Sequence, residues 1–359
     1  MSISTEKNQK PPDFLLTNGC VSVKLYIHEI FLERKGIHSI MEKMELSKAF
    51  GAYPTMVTPY DENGNVDYAA VEKLVEWYWQ KGCDGIFASC QSSEIRFLSE
   101  DDRVKLAECV RRKADELAEN DPSRPPMLIV ASGHVSDAFE DQVRELNRIA
   151  ATGVDAVILI TNRMDIGNTS DENWIRDAER LIETIPEHVM LGLYECPSPY
   201  KRLLTPKMLE WCLSTGRFRY IKDTCCDEAE IECRLALLNG TTLRLFNANA
   251  QTLLESLKAG CAGYCGIMCN FHPELYVWLT HNYKDQPETA ETVGAFLSVT
   301  AFTEALAYPI TAKYHLSQLK GLPVSLYARS RNAADFKPYD AMCIRQMNEL
   351  AEHVYATLK

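Results

Sequence analysis

The chain has 359 residues, 46% of them hydrophobic, enough for one large domain or two ordinary ones. Its 38 Lys and Arg against 50 Asp and Glu leave a formal net charge of −12, and no Lys/Arg cluster of the kind that tracks phosphates occurs, so nucleic acid is not an expected partner. No segment reaches the ~18 uninterrupted apolar residues of a membrane span, so no membrane is expected either. A small anionic ligand stays open, because local charge in a pocket can oppose the global sign.

Residues 1–48 differ in character from the rest. "MSISTEKNQKPPDF" is polar and Pro-containing and reads as disordered. "FLLTNGCVSVKLYI" is too interrupted by Thr, Asn and Lys to be a signal-peptide core. A poorly ordered N-terminal extension is expected there. From Gly51 onward two kinds of segment alternate. Short apolar, β-branched runs occur at "GAYPTMVTP", "CDGIFASC", "PMLIVASG", "VDAVILIT", "VMLGLYEC", "FRYIKD", "TLRLFNAN" and "GYCGIMC". Between them lie stretches with helical periodicity, such as "YAAVEKLVEWYWQKG", "EDDRVKLAECVRRKADELA", "AFEDQVRELNRIAATG", "ENWIRDAERLIETIP" and "AQTLLESLKAGCAG". Eight such units predict an α/β fold, a (β/α)8 barrel over 49–284, with strands apolar on both faces. The rival open sheet normally carries G-x-G-x-x-G after its first strand, where this chain has "TPYDENGNVD". Helical stretches near 287–307, 309–319 and 338–358 predict a C-terminal helical region over 285–359.

The 13 cysteines are scattered, mostly inside apolar runs, as buried thiols in a reducing compartment would be, and a cytoplasmic location is expected. Cys261, Cys265 and Cys269 lack zinc-ribbon spacing and a His partner, so they read as core and no metal is expected.

In such a barrel function sits where strands end and βα loops begin. That rule nominates "CQSSE" (Cys90 to Glu94) after strand 2, His134 after strand 3, Arg163 after strand 4, Tyr194 ending strand 5, Lys222 and Thr224 ending strand 6, and Asn249 after strand 7. Lys222 carries the sharpest chemistry. Burial in a barrel wall disfavours an ammonium, and a neutral amine attacks a carbonyl carbon to give a Schiff base. The iminium then draws electrons from a neighbouring C–C bond. By position alone a strand-end lysine that merely reaches solvent is the commoner case. Tyr194 could relay protons from the adjacent strand, roughly 5 Å away, or be a core tyrosine. His134 reads equally as a structural hydrogen-bond partner, and Arg163 as a solvated loop arginine.

The order "GAYPTMVTPYDENGNVD", then S-S-E-x3-L-S-E-D-D-R, Y-x-x-P-S, I-K-D-T and finally "AYPITAKYHLSQLKGLP" resembles the dihydrodipicolinate synthase/N-acetylneuraminate lyase family over about residues 49–330. The resemblance implies a (β/α)8 barrel with a C-terminal helical region, and a class I aldolase or lyase acting on a C–C or C–O bond. It implies a 2-oxo acid such as pyruvate held as a lysine imine, no cofactor, and a homo-oligomer, commonly a tetramer. It makes Lys222 the Schiff-base lysine and Tyr194 the proton relay, with Gln91, Ser92, Ser93, Thr224 and Ile267 as substrate-binding residues and His134, Arg163 and Asn249 as further contacts. The family's Gly-Thr/Ser-Thr-Gly-Glu loop is here Cys90-Gln91-Ser92-Ser93-Glu94. The synthase's arginine falls on Pro199 and its second tyrosine near Met164, while the sialic acid lyase's acidic pair falls on Ala250 and Gln251. These departures point away from both well-known substrates, toward another 2-oxo acid, sugar-derived. The competing reading is a non-catalytic relative that binds a 2-oxo acid and regulates.

Overall fold

The structure is a computed structural model that describes residues 48–358. The expectation for the N-terminal extension therefore falls almost wholly outside the described residues. Eight short strands follow in chain order: β1 Gly51–Pro54, β2 Gly85–Phe87, β3 Leu128–Ala131, β4 Ala156–Ile160, β5 Leu191–Tyr194, β6 Phe218–Asp223, β7 Arg244–Asn247 and β8 Gly263–Gly266. All pair in parallel, β1 beside β8, and a bridge from Thr55 to Phe87 brings β1 back to β2. The predicted (β/α)8 barrel is the fold.

Helices α1 Tyr68–Gln80, α2 Glu100–Asn120, α3 Phe139–Ala150, α4 Asp171–Ile182, α5 Pro206–Thr215, α6 Glu228–Leu238 and α7 Leu253–Lys258 return the chain from strand to strand. Five begin on a side-chain cap that accepts a backbone N–H: Asp67, Ser99, Ser170, Thr205 and Asp227. Each such cap contributes about 1 kcal/mol. Helices α5 and α6 are short, and periodicity did not single them out. The stretch "AQTLLESLKAGCAG" yields only the six residues of α7.

Apolar side chains fall into two compartments. One lies between the strands and the helices. The other fills the barrel with Tyr53, Phe87, Val130, Ile158, Tyr194, Tyr220, Phe246 and Cys265 among others. Strand residues two apart share a face, so Tyr220 lies one layer beneath Lys222 on β6. Its ring stacks on Phe246 at 4.5 Å, and Tyr53 meets Phe246 edge-on at 4.6 Å. This aromatic plug closes the barrel below the strand ends.

After β8 come α8 Pro273–Asn282, α9 Pro287–Thr300, a tight turn Ala301–Ala305, and α10 Ile310–Tyr314, which widens into a π turn over His315–Leu319. The last helix is α11 Pro338–Ala356. Among the described residues no single helix is long and apolar enough to cross a membrane.

Candidate functional site

A cavity of about 420 Å³ opens where the strands end. Its wall takes Gln91 and Ser92 after β2, Tyr194 and Cys196 at β5, Lys222, Thr224 and Cys226 at β6, Asn249 after β7, and Gly266 and Ile267 at β8. The C-terminal region supplies Glu304, Tyr308, Ser330 and Arg331. Gly266 leaves room that a side chain would not, since a Cβ there would meet the Tyr264 hydroxyl at 2.2 Å.

Lys222 and Tyr194 are register partners on adjacent strands. Lys222 is buried, and its Nζ stands 4.4 Å from the centre of the Tyr194 ring and 5.7 Å from that of Phe87. Among the described residues the amine has no hydrogen-bond or ion-pair partner, so aromatic faces are its nearest company. Burial raises the Tyr194 hydroxyl well above the usual phenol range. That keeps it protonated and able to donate.

Strand ends hold this pair in place through a buried ion network. Arg234 of α6 donates from Nη1 to both Glu195 and Asp223, the residues next to Tyr194 and Lys222, and from Nη2 to Leu204 O at 2.8 Å. Glu195 also accepts the backbone N–H of Thr224 at 2.9 Å and of Leu204 at 2.8 Å. Burial and the charge of Asp223 push the Glu195 carboxyl above the usual range, while the two carboxylates together raise Arg234.

The other predicted residues divide. Gln91, Ser92, Thr224, Asn249 and Ile267 line the cavity. The Cys196 thiol donates to Gln91 Oε1 at 3.2 Å, which leaves the amide Nε2 as a donor. Ser92 Oγ donates to Thr55 Oγ1 at 3.1 Å. The Thr224 hydroxyl donates to Glu195 O at 2.7 Å, keeping its lone pairs free to accept. Asn249 is partly spent on its own turn, with Oδ1 accepting from Thr252 N at 3.0 Å.

Ser93, His134 and Arg163 differ from expectation, because none of them lines this cavity. The Ser93 hydroxyl reaches Met56 O at 2.7 Å and Ala88 O at 2.8 Å and accepts from Cys90 N at 3.2 Å, so it braces the loop. His134 is fully buried; Nε2 accepts from Ile160 N at 2.6 Å, which puts the proton on Nδ1, facing Gln142 Oε1 at 3.2 Å. Burial lowers its pKa to about 3, so it stays neutral. Arg163 turns away to Asn162 Oδ1 at 3.0 Å and to the carboxylate of Asp137. In each case a nearby backbone or carboxylate group outcompeted the cavity for the polar atom.

Several cavity-lining groups escape the sequence reading, Cys196 and Glu304 with Arg96, Lys201, Tyr308 and Arg331. Cys196 looked like one more core thiol. Glu304 sits in "FTEALAYP", where nothing marks one acidic residue among 50 Asp and Glu. Burial pushes its carboxyl up to about 7, against the pull of Lys222. Glu94, by contrast, is spent: Oε2 faces Lys313 Nζ at 3.1 Å and Oε1 accepts from Ser330 N at 2.6 Å. Among the described residues no cluster of three or more His, Cys, Asp or Glu could hold a metal ion.

Fold and cavity together define a (β/α)8-barrel protein whose site is built at the carboxyl ends of its strands. The signature of the Dihydrodipicolinate synthetase family matches residues 48–333, and the chain belongs to that family. It is 23% identical over 277 residues to the 4-hydroxy-tetrahydrodipicolinate synthase of Coxiella burnetii (strain Dugway 5J108-111), covering 76% of this chain and 89% of that one. Two solved structures share its fold. YagE of E. coli K12, a prophage protein of the dihydrodipicolinic acid synthase family in complex with pyruvate, superposes with TM-score 0.72 at 19% identity, over 85% of this chain and 98% of that one. A catalytic lysine mutant of Ruminococcus gnavus sialic acid aldolase superposes with TM-score 0.73 at 16% identity, over 86% and 98%.

Proposed function

We propose that this protein is a class I lyase that joins Lys222 to a 2-oxo acid as an imine and breaks or forms the C3–C4 bond, one bond out from the former carbonyl carbon. The observation that carries this reading is the Lys222 amine itself, buried at the cavity wall over the Tyr194 ring at 4.4 Å with no hydrogen-bond or ion-pair partner among the described residues. A structural lysine so buried would be expected to hold a carboxylate. An amine left unpaired beside a phenol is arranged to react.

In this reading the amine attacks C2 of the 2-oxo acid, and Tyr194 shuttles the protons that let water depart. The substrate carboxylate rests between the Gln91 amide and the Ser92 hydroxyl, which turns its proton from Thr55 Oγ1 to the incoming anion. Thr224 accepts from a substrate hydroxyl. The iminium then takes up the C3–C4 bonding electrons as the aldehyde fragment leaves. Arg96, Lys201 and Arg331 also line the cavity and suit an anion in an otherwise acidic chain. A volume of about 420 Å³ accommodates a chain longer than pyruvate, in keeping with a sugar-derived acid. The C. burnetii relative's name and the pyruvate bound to YagE support a 2-oxo acid; neither supplies the aldehyde partner.

The test is borohydride reduction with pyruvate and a panel of longer 2-oxo acids, read by intact mass. An adduct is expected, and Lys222→Ala is expected to abolish it; no adduct with any acid refutes the reading. One observation favours the competing regulatory role: the expected second relay tyrosine is replaced by Met164, buried in the helix-side core. That role predicts a ligand-dependent thermal shift without turnover that survives Lys222→Ala.

A further inference from the structure

Glu304 is a carboxyl for which the imine chemistry above has no use. It belongs to the turn Ala301–Ala305 after α9 and shares the cavity wall with Lys222, Thr224, Asn249 and Ile267. Among the described residues the only other carboxyl lining the cavity, Glu94, is ion-paired with Lys313. Glu304 has no hydrogen-bond or salt-bridge partner among the described residues. A half-sequestered carboxyl without a partner is costly to keep unless it acts on something that enters.

The cavity has a direction. Gln91 and Ser92 hang from β2, and Lys222 rises from β6. A 2-oxo acid with its carboxylate on the first pair and C2 at the lysine carries C4 away from the β2 loop, toward the β6–β8 side. Glu304 lies on that side: its charge is felt by Cys226 after β6, Tyr264 of β8 and Tyr276 of α8, as well as by Tyr308.

Resting on the Lys222 reading, we infer that Glu304 takes the proton from the substrate's C4 hydroxyl as the C3–C4 bond breaks, while Tyr194 serves the imine. The step balances. The hydroxyl proton passes to the Glu304 carboxylate, the O–H electrons become the aldehyde C=O bond, and the C3–C4 electrons move into the iminium to give an enamine. Glu304 then returns the proton to C3, and water releases pyruvate and the free amine. Condensation runs the same path backwards: the Glu304 carboxylate takes the C3 proton of the pyruvate imine to give the enamine, then passes it to the aldehyde oxygen as the C3–C4 bond forms.

This assignment predicts a pH dependence with a definite sign. The titratable groups coupled in charge to Glu304 are Lys222, Cys226, Tyr264, Tyr276 and Tyr308, with Arg96, Lys201, Arg331 and the paired Glu94 elsewhere in the wall. Burial raises the Tyr264, Tyr276, Tyr308 and Cys226 groups above their ordinary values. Glu304, pushed up to about 7, is the cavity-lining carboxyl that changes charge in the neutral range, whereas Glu195, also raised to about 7, is held by Arg234 and does not line the cavity. Cleavage needs the carboxylate, so its rate rises with pH through about 7 and then levels.

The experiment follows aldehyde release from 4-hydroxy-2-oxopentanoate and 2-oxo-3-deoxygluconate, alongside borohydride trapping of each, in the parent, Glu304→Gln and Glu304→Asp. Glu304→Gln is expected to trap adduct as the parent does, to cleave about 100-fold or more slowly, and to lose the limb near pH 7. Glu304→Asp is expected to recover part of the rate and keep a limb. Normal trapping with cleavage within threefold of the parent, or an unchanged limb in Glu304→Gln, overturns the assignment and spares the Lys222 reading. Absence of any adduct in the parent overturns both.

Discussion

Replacing Arg234 by methionine tests whether the ion network behind β5 and β6 holds the site together. The guanidinium side chain is 1% exposed and its partners Glu195 and Asp223 are 0% exposed. Methionine fills a similar volume but leaves two buried carboxylates facing each other. Breaking a buried pair by removing one partner costs about 3–5 kcal/mol. With roughly 300 folded residues at ~2.1 cal/mol/K each, unfolding entropy is ~0.6 kcal/mol/K, so the loss corresponds to a fall in Tm of roughly 5–8 °C. The sign of the pH effect is fixed by the carboxyls. Burial and Asp223 already hold the Glu195 carboxyl above its ordinary value. A group that binds its proton more tightly when folded costs stability as pH rises from the unfolded pKa toward the folded one. Glu195, already raised to about 7 in the parent, rises further without Arg234, so the variant's deficit should stay level from pH 5 to about 7 and grow above it by up to ~1.4 kcal/mol, or ~2 °C, per pH unit. Calorimetry of parent and variant between pH 5 and 8 measures this directly. A Tm difference that is the same at pH 5 and pH 8 would falsify the account, as would a fall of less than about 1 °C.

Gln91→Ala and Ser92→Ala should each weaken apparent 2-oxo acid affinity roughly 10- to 100-fold, as hydrogen bonds to a charged group are worth ~1.5–3 kcal/mol. Their Tm should hold; unchanged affinity in both removes this loop from the substrate. Ser93→Ala should do the reverse, lowering stability by ~1–3 kcal/mol through its orphaned backbone partners with 2-oxo acid affinity intact. A drop in its affinity instead would return Ser93 to the binding set. Lys313→Met strands the Glu94 carboxylate, which then keeps only the Ser330 N–H, and releases Tyr327 O, a 2.6 Å acceptor. Hydrogen exchange around residues 327–331 should speed markedly. If it does not, Lys313 is not what holds that segment over the cavity.

The residues that could be read in advance are those whose signal is local. Continuous apolar runs such as "VDAVILIT" identify strands buried on both faces, as parallel strands covered by crossover helices are. Ser99 before Glu100 marks a helix start by a contact three residues away. Lys222 and Tyr194 could be paired because each ends an apolar run, and adjacent parallel strands bring such ends together. Chain order alone thus determined the barrel, the end of it where the cavity opens, and the pairing of Lys222 with Tyr194. It could not decide how polar groups at the strand ends would be spent. Ser93, His134 and Arg163 look as available as Ser92 and Thr224 along the chain, yet Met56 O, Ile160 N and Asp137 claim them. Nor could it place Glu304 or Arg331 in the wall, since each lies more than 80 residues from Lys222 in sequence. Which donors stay free for a ligand depends on which acceptors fold next to them, and only the closed barrel, with the C-terminal region laid over its mouth, settles that competition.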